Sequence, residues 1–349
     1  MSSQVHIKRD TEGRQETPSS YAGVSRSWLR TALNAIGVQN LSLLFALALL
    51  VIVIGSQNPN FFLVSNLRTI GTAISIVGIL AVMQTIIMLL GGLDISVGSA
   101  AGLTSVVSAM VFMTNQNAGV SILVALGVGV AAGLFNGLVI VYGRVNAVIA
   151  TLATYAGFRG LANLISNGRA QGYTGTDPIY VFIARGSLFG VPVLIWILVC
   201  VAIFVHCLLR YTDIGRNIYA IGGNATAARL AGINLNRYIV VCYALMGLVA
   251  AIAGIMLTAR TGSGQPTSGS QGLELQAITA AALGGVAMQG GKGTIAGTVI
   301  AVVVLGVLQN GLTILNVNSF WQDIAQGLLL VAAVIVQQRR RGVRAVGLP

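Results

Sequence analysis

Beyond residue 39 the chain is a succession of long apolar runs separated by short polar or glycine-rich stretches. A helix rises ~1.5 Å per residue, so ~20 apolar residues cross the ~30 Å hydrocarbon core of a bilayer. Runs of that length, or close to it, fall near residues 40–57, 69–90, 96–113, 118–142, 147–166, 191–209, 238–259, 275–290, 294–315 and 321–337. The pattern predicts an all-α fold, a polytopic membrane bundle of about ten transmembrane helices. It divides the chain into a polar tail (1–39), a membrane domain (40–337) and a basic tail (338–349).

Composition narrows this reading. Hydrophobic residues make up 55% of the chain and charged ones 8%, where a soluble domain is about one-quarter charged. A water-soluble enzyme and a disordered chain are both excluded. The net charge of +12 does not point to nucleic acid, because the basic residues form no stripe interleaved with aromatics. They sit instead at the ends of apolar runs, where membrane orientation is decided. The N-terminal tail lacks the short apolar core and small-residue cleavage site of a secretory signal.

An even number of spans puts both termini on one face. With that face inside, it collects Lys8, Arg9, Arg14, Arg26, Arg30, Arg144, Arg210, Arg216, Arg229, Arg237, Lys292, Arg339, Arg340, Arg341 and Arg344. Only Arg68, Arg169, Arg185 and Arg260 fall outside, and Arg159 lies within a span. This is the bias of a membrane protein with both termini cytoplasmic. Cys200, Cys207 and Cys242 show no metal or redox spacing and are expected to be small buried hydrophobes.

Glycines recur at four-residue spacing at Gly129, Gly133 and Gly137, at Gly98 and Gly102, and at Gly293 and Gly297. Such spacing strips one helix face of side chains and lets another backbone approach, within one bundle or between subunits. There is also an internal echo. Leu90-Gly91-Gly92 matches Leu283-Gly284-Gly285, and Asn136-Gly137-Leu138 with Val145-Asn146 matches Asn310-Gly311-Leu312 with Val317-Asn318. An inverted internal repeat is one reading, coincidence in Gly/Ala/Val-rich sequence the other.

Catalytic constellations are missing. His6 and His206 have no triad or metal partner in sequence. The segment Gly285–Gly293 comes near a phosphate-binding loop, but its lysine, Lys292, falls one place late and Gly293 stands where a hydroxyl belongs. The chain is therefore not expected to hydrolyse ATP. Asp94 with Ser96, and Glu274, stand where acids cap helix N-termini. Amides inside apolar runs, Gln84, Asn136, Gln309, Asn310 and Gln326, are candidates for a polar translocation path; interhelical glue is the competing role.

The informative polar piece is the loop 210–237. Gly222-Gly223 breaks a preceding helix, Asn224 is a good N-cap, Ala225–Ala231 is helix-forming, and Gly232 can close the helix in the left-handed conformation. Two turns of helix do not persist in water on propensity alone. They need a surface, either their own bundle or a docked protein.

At this loop the sequence resembles the coupling loop of ribose-type (monosaccharide) ABC transporter permeases, on Thr212-Asp213-Ile214-Gly215-Arg216, Ala220–Asn224 and Ala227–Ile233. Further matching strings are Pro59–Phe62, Gly91–Ser99, Gly143–Leu152, Arg159-Gly160, Gln265-Pro266-Thr267, Gly272–Leu275 and Gly290–Thr294, in order over about residues 40–337. The resemblance implies a permease of a binding-protein-dependent sugar importer in a bacterial inner membrane, with no cofactor of its own. It implies four partners: the lipid membrane, a second permease copy (identical or not), a periplasmic sugar-binding protein, and a cytoplasmic ATPase that binds ATP and Mg. It further implies that Gly222, Gly223, Asn224, Ala227, Ala228, Arg229 and Gly232 contact that ATPase. Two positions depart from the family's pattern, Ala225 and Gln276, where acids are frequent. The rival readings are an ion-coupled or facilitative sugar carrier, a membrane-embedded transferase, and a permease of the same family for a non-sugar ligand.

Overall fold

The computed structural model describes residues 38–172 and 174–340. The two tails lie mostly outside these residues. The described chain is helical almost throughout. Eight helices are long and apolar enough to cross a membrane: α1 (Val38–Gln57), α2 (Val64–Leu89), α3 (Val97–Asn115), α4 (Ala118–Val141), α5 (Ala147–Ser166), α7 (Val193–Tyr211), α10 (Leu235–Thr261) and α12 (Ile295–Ile314). Between them lie α6 (Pro178–Arg185), a two-residue-per-strand hairpin (Ser187–Leu188 with Val191–Pro192), α8 (Asp213–Gly223) and α9 (Ala225–Leu230). A shorter helix, α11 (Leu273–Leu283), and a terminal one, α13 (Ser319–Arg340), complete the chain.

The apolar faces sort by position. α2 and α10 are buried over most of their length, whereas α1, α4, α5 and α7 present Phe45, Ile52, Leu123, Leu164 and Phe204 outward. That distribution suits a bundle whose solvent is lipid. Cys242 is buried, but Cys200 and Cys207 lie on the exposed face of α7, contrary to the expectation of three core thiols.

The tightest packing joins α4 to α10. A side chain at Gly133 would run into the carbonyl oxygen of Tyr243, and one at Gly247 into that of Gly129. The glycine stripe of α4 is thus used inside one chain to bring two backbones together.

One expected span is broken. The run 275–290 yields only the eleven residues of α11, which at ~1.5 Å per residue cover about half of a bilayer core. The rest of the distance is irregular backbone at both ends. Residues 262–272 descend beside α3: Gln265 N–H donates to Ser105 Oγ (3.0 Å) and Gly264 pairs with Gln171 in an antiparallel bridge. Gly284-Gly285 and Gly290-Gly291 then end the helix in a turn whose glycines, apart from Gly284, have positive φ. Non-helical backbone at this depth is tolerated only where protein covers it, and Gly264, Pro266 and Ser270 are all buried.

The ends of the elements define two faces. Asn58, after α1, donates to the carbonyl of Ile314 at the end of α12, and Gln322 in the first turns of α13 donates to Val317. On the opposite face, Gly291 N–H donates to Leu89 O (2.9 Å), beside α8. Asn40, at the start of α1, lies beside Gly297 on that second face, and α13 runs toward it. The first and last described helices therefore both have their outer ends on the face that carries α8 and α9.

The sequence echoes resolve into local chemistry. Gly91 and Gly285 close α2 and α11 with the same pair of hydrogen bonds, one reaching back three residues and the next five. Asn146 and Asn318 each accept from the N–H two residues on, at 2.9 Å. But the first echo aligns α12 with α3, the second aligns α12 with α4. One duplication cannot produce both.

Candidate functional site: a polar cavity and an exposed helix

On the face away from α8 and α9, helices α2, α11, α12 and α13 stand apart around a cavity of about 620 Å³, which also reaches the end of α10. Its polar lining is almost all amide and hydroxyl: Thr69, Thr261, Gln271, Gln276, Gln309, Asn310, Thr313, Gln322 and Gln326. Among the described residues Arg260 is its one cation, and no acid lines it. The apolar part comes from Ile74, Val77, Val302, Leu305 and Leu329 among others. Amides and hydroxyls that both donate and accept, set in an apolar wall, suit a neutral solute with several hydroxyl groups.

The five amides expected along a path separate into two groups. Gln309, Asn310 and Gln326 line the cavity. Asn310 does so while tied to Asn66 of α2 through a reciprocal amide pair at 2.9 and 3.1 Å, so its amide also joins α12 to α2. Gln84 and Asn136 lie elsewhere. Asn136 donates to Ser96 Oγ (2.8 Å), and Ser96 Oγ and N–H donate to Asp94 Oδ1 (2.6 and 2.8 Å), a buried network that fixes the start of α3. Gln84 is fully buried, and neither amide atom has a hydrogen-bond partner. The sequence reading missed Gln271, Gln276 and Gln322 as lining residues. Gln276 was legible only as a departure from the family's acid.

Arg159 and Glu274 hold the broken segment in place. Arg159 Nη1 donates to the Pro266 carbonyl (2.5 Å) and to Ser270 Oγ (2.6 Å). Glu274, 4% exposed and in the first turn of α11, reaches back to accept from the N–H of Gly272 through Oε1. The side of α3 that faces them is bare at Gly98 and Gly102, where a Cβ would meet Glu274, Ser270 and Pro266.

The second site is the exposed helix. Asn224 caps α9 by accepting from Ala227 N–H (3.0 Å), and Gly232, at φ +86°, closes it with Ile233 N–H donating back to Ala228 O. Ala228 anchors α9 against Ile221 and Leu235, while Ala227, Arg229 and Leu230 point away from the bundle, Leu230 at 85% exposure. Before it lies α8, an amphipathic helix whose last turn includes Gly222 and Gly223, with Ile218 and Ile221 buried and Asp213 and Arg216 exposed. Arg229 and Arg144 share a groove with Gly232 and Asn236.

Gly222 and Gly223 differ. Gly223 is open to solvent, but a side chain at Gly222 would collide with the Leu89 carbonyl and the Gly291 amide. Tyr219, one turn earlier, donates to Gly293 O (2.9 Å). Burial raises its phenol above the ordinary value, with Arg210 pulling the other way, so it remains a donor at neutral pH. The exposed helix is thereby joined to the ends of α2 and α11, two walls of the cavity.

Comparison with known proteins identifies the family. The family described as branched-chain amino acid transport system / permease component matches residues 66–334. The chain belongs to this permease family. It is 40% identical over 300 residues to a ribose import permease protein of Escherichia coli strain K12, covering 85% of this chain and 93% of the relative. It is 39% identical over 291 residues to the L-arabinose transport system permease protein of the same strain, covering 81% and 85%. An L-arabinose ABC transporter permease protein of Azospirillum brasilense is 35% identical over 286 residues, covering 82% and 84%. No solved structure matches the chain significantly. With eight apolar helices of crossing length, it is a multi-pass membrane protein.

Proposed function

We propose that the chain is the permease subunit of an ATP-driven, binding-protein-dependent importer of a neutral monosaccharide, a pentose or a close relative. It is a transport subunit rather than an enzyme, as its relatives are. The family's description names branched-chain amino acids, zwitterions that need a carboxylate partner and an ammonium partner. A cavity with one arginine, no acid and many amides suits a sugar better. The relatives with ribose and L-arabinose in their names support the same choice.

The observation that carries the mechanism is the contact of Gly222 with Leu89 and Gly291. A cytoplasmic ATPase would seat on Ala227, Arg229, Leu230 and Gly232, with Gly223 and Asn224 at its edge and acidic groups facing Arg144 and Arg229. Ala228 and Gly222 face inward and transmit the push. Displacement of α8 and α9 would shift the ends of α2 and α11 and turn the cavity from one side of the membrane to the other. ATP and Mg belong to that partner. The described basic residues at the α8–α9 face, Arg144, Arg210, Arg216, Arg229, Arg237 and Lys292, support placing that face, and with it the outer ends of α1 and α13, in the cytoplasm of a bacterial inner membrane. A second permease copy and a periplasmic sugar-binding protein complete the importer.

The test is to screen the cognate binding protein against pentoses, deoxyhexoses, polyols and branched-chain amino acids, then assay uptake of the tightest ligand in proteoliposomes holding permease, ATPase and ATP. ATP-dependent sugar uptake supports the reading. Uptake driven by an ion gradient without ATPase, or of an amino acid alone, rejects it.

A further inference from the structure

Of the few cations on the face away from α8 and α9, two lie together. Arg68, in the second turn of α2, and Arg185, at the end of α6, line one groove of about 210 Å³ with Thr69, Thr72 and Ser187. Both arginines are exposed. Among the described residues neither guanidinium has a hydrogen bond or an ion pair, and no acid lines the groove. Asp177, the acid nearest to Arg185 in sequence, is occupied at the opposite end of α6, where it accepts from the N–H groups of Ile179 and Tyr180. Two guanidinium groups facing one groove repel each other. An anion between them turns that repulsion into two attractions.

The surroundings say which anion. The hairpin that supplies Ser187 and Pro192 turns at Phe189, which is 96% exposed and meets Trp196 edge to face. Trp196 Nε1 donates to the Leu188 carbonyl (3.1 Å), which fastens the hairpin to α7. Two turns further along α7 from Trp196 comes Ile203, exposed on the lipid-facing stripe. On the other flank Phe62, Leu63 and Leu67 are exposed beside Arg68. α2 has 26 residues. At ~1.5 Å each they span about 39 Å against a hydrocarbon core of ~30 Å, so the first turns of α2 reach headgroup level. Arginines with apolar stems, a tryptophan and an open phenylalanine are the furniture of a membrane–water interface. In water the Phe189 ring would have no burial at all.

We propose that this groove binds the phosphate of an anionic phospholipid in the outer leaflet, held by Arg68 and Arg185 with the Ser187 hydroxyl as a further donor. Thr69 and Thr72 give their hydroxyl protons to the carbonyls of Ser65 and Thr69 (3.0 and 3.1 Å), so they shape the groove and leave the anion to the arginines. A phosphate bound there joins α2 to the end of α6. Thr69 lines both this groove and the amide-lined cavity, so the lipid braces the outer end of one cavity wall. The proposal needs a membrane protein and does not depend on the sugar reading.

The test uses the complete importer in detergent, with phosphatidylglycerol, phosphatidylcholine and inorganic phosphate as probes and native mass spectrometry as the readout. The parent should bind phosphatidylglycerol more tightly than phosphatidylcholine, and about tenfold more tightly than Arg68→Gln/Arg185→Gln does. Arg68→Lys/Arg185→Lys should keep part of that affinity, and Arg169→Gln, outside the groove, all of it. Excess inorganic phosphate should not displace the lipid. Phosphatidylglycerol affinity of the glutamine pair within twofold of the parent overturns the proposal. Displacement by inorganic phosphate overturns it in favour of a free-anion site. Weaker capture of the sugar-binding protein with lipid binding unchanged overturns it in favour of that partner. Each of these leaves the permease reading intact, whereas an importer that binds the lipid but moves no sugar removes the permease reading alone.

Discussion

Two halves of this bundle are built on opposite rules. Where α4 meets α10, Gly129, Gly133 and Gly247 bring backbones together with no side chain between them. Where α2, α11, α12 and α13 face one another, a cavity of about 620 Å³ is kept open and lined with amides. The first arrangement has one way to fit, because interdigitated backbones cannot slide without collision. The second is packed closely only at its α8–α9 end, where Gly284 meets Gly297 backbone to backbone and Thr85 bonds Thr298; toward the cavity it is held by Asn66 with Asn310 and by Arg159 with Pro266 and Ser270. A transporter needs both, a half that keeps its shape and a half that changes it. The difference lies in what the glycines meet: on α4 and α10 they face each other along the helices, whereas on α12 Gly297 meets Gly284 at one end and Gly306 and Gly311 take the side chains Ile74 and Ile54.

Substitutions should separate the halves, the greatest effect coming from the closed one. Gly133→Leu forces a side chain into the Tyr243 carbonyl, and we expect at least about 4 kcal/mol of destabilisation, seen as loss of monodisperse protein after extraction. Gly127 on the same helix has open space beside it, so Gly127→Leu should stay within about 0.5 kcal/mol of the parent. Equal thermal unfolding of Gly133→Leu and Gly127→Leu would refute the close-packed half.

Next comes the pin between the halves. Arg159→Met removes the hydrogen bonds to Pro266 and Ser270 and the positive charge that acts on buried Glu274, at about 2–3 kcal/mol. Pairing it with Glu274→Gln should restore part of that stability. A double variant less stable than Arg159→Met alone would show that the two charges do not act together. The smallest expected effect is in the cavity: Gln276→Ala should lower sugar uptake about fivefold while thermal unfolding changes by less than about 0.5 kcal/mol. Unchanged uptake would remove Gln276 from the route.

The contrast was only partly legible in sequence. Long helices were, because apolar content over some twenty residues needs no tertiary information; α5 spans 147–166 in both expectation and structure. The Asn224 cap and Gly232 closure were also legible, since both are local chemistry. The broken span was not. In 275–290 the Ala, Leu and Gly content is equally apolar whether helical or turned, and only the pairs Gly284-Gly285 and Gly290-Gly291 signal the break. Among the amides, Gln84 and Gln309 look alike in sequence. Their separation depends on depth and on which helix lies opposite, which no single run encodes. Gln271 escaped notice because the descending segment 262–272 reads as an ordinary outer loop, and Gln276, at the start of the expected span 275–290, stood out only as a departure from the family's acid. Gly222 reads as a helix breaker, but its use as a close contact with Leu89 and Gly291 is long-range.

The central claim is that force enters at α9 and leaves as movement of sugar through the amide-lined cavity. The most direct measurement is the number of sugar molecules moved per ATP hydrolysed in proteoliposomes holding the whole importer, for the parent and for Arg229→Glu, at equal permease content. The account predicts that the ratio falls at least tenfold in the variant, with binding-protein-stimulated hydrolysis lost or running without transport. An Arg229→Glu importer that keeps both the parent's uptake and the parent's ratio would contradict it.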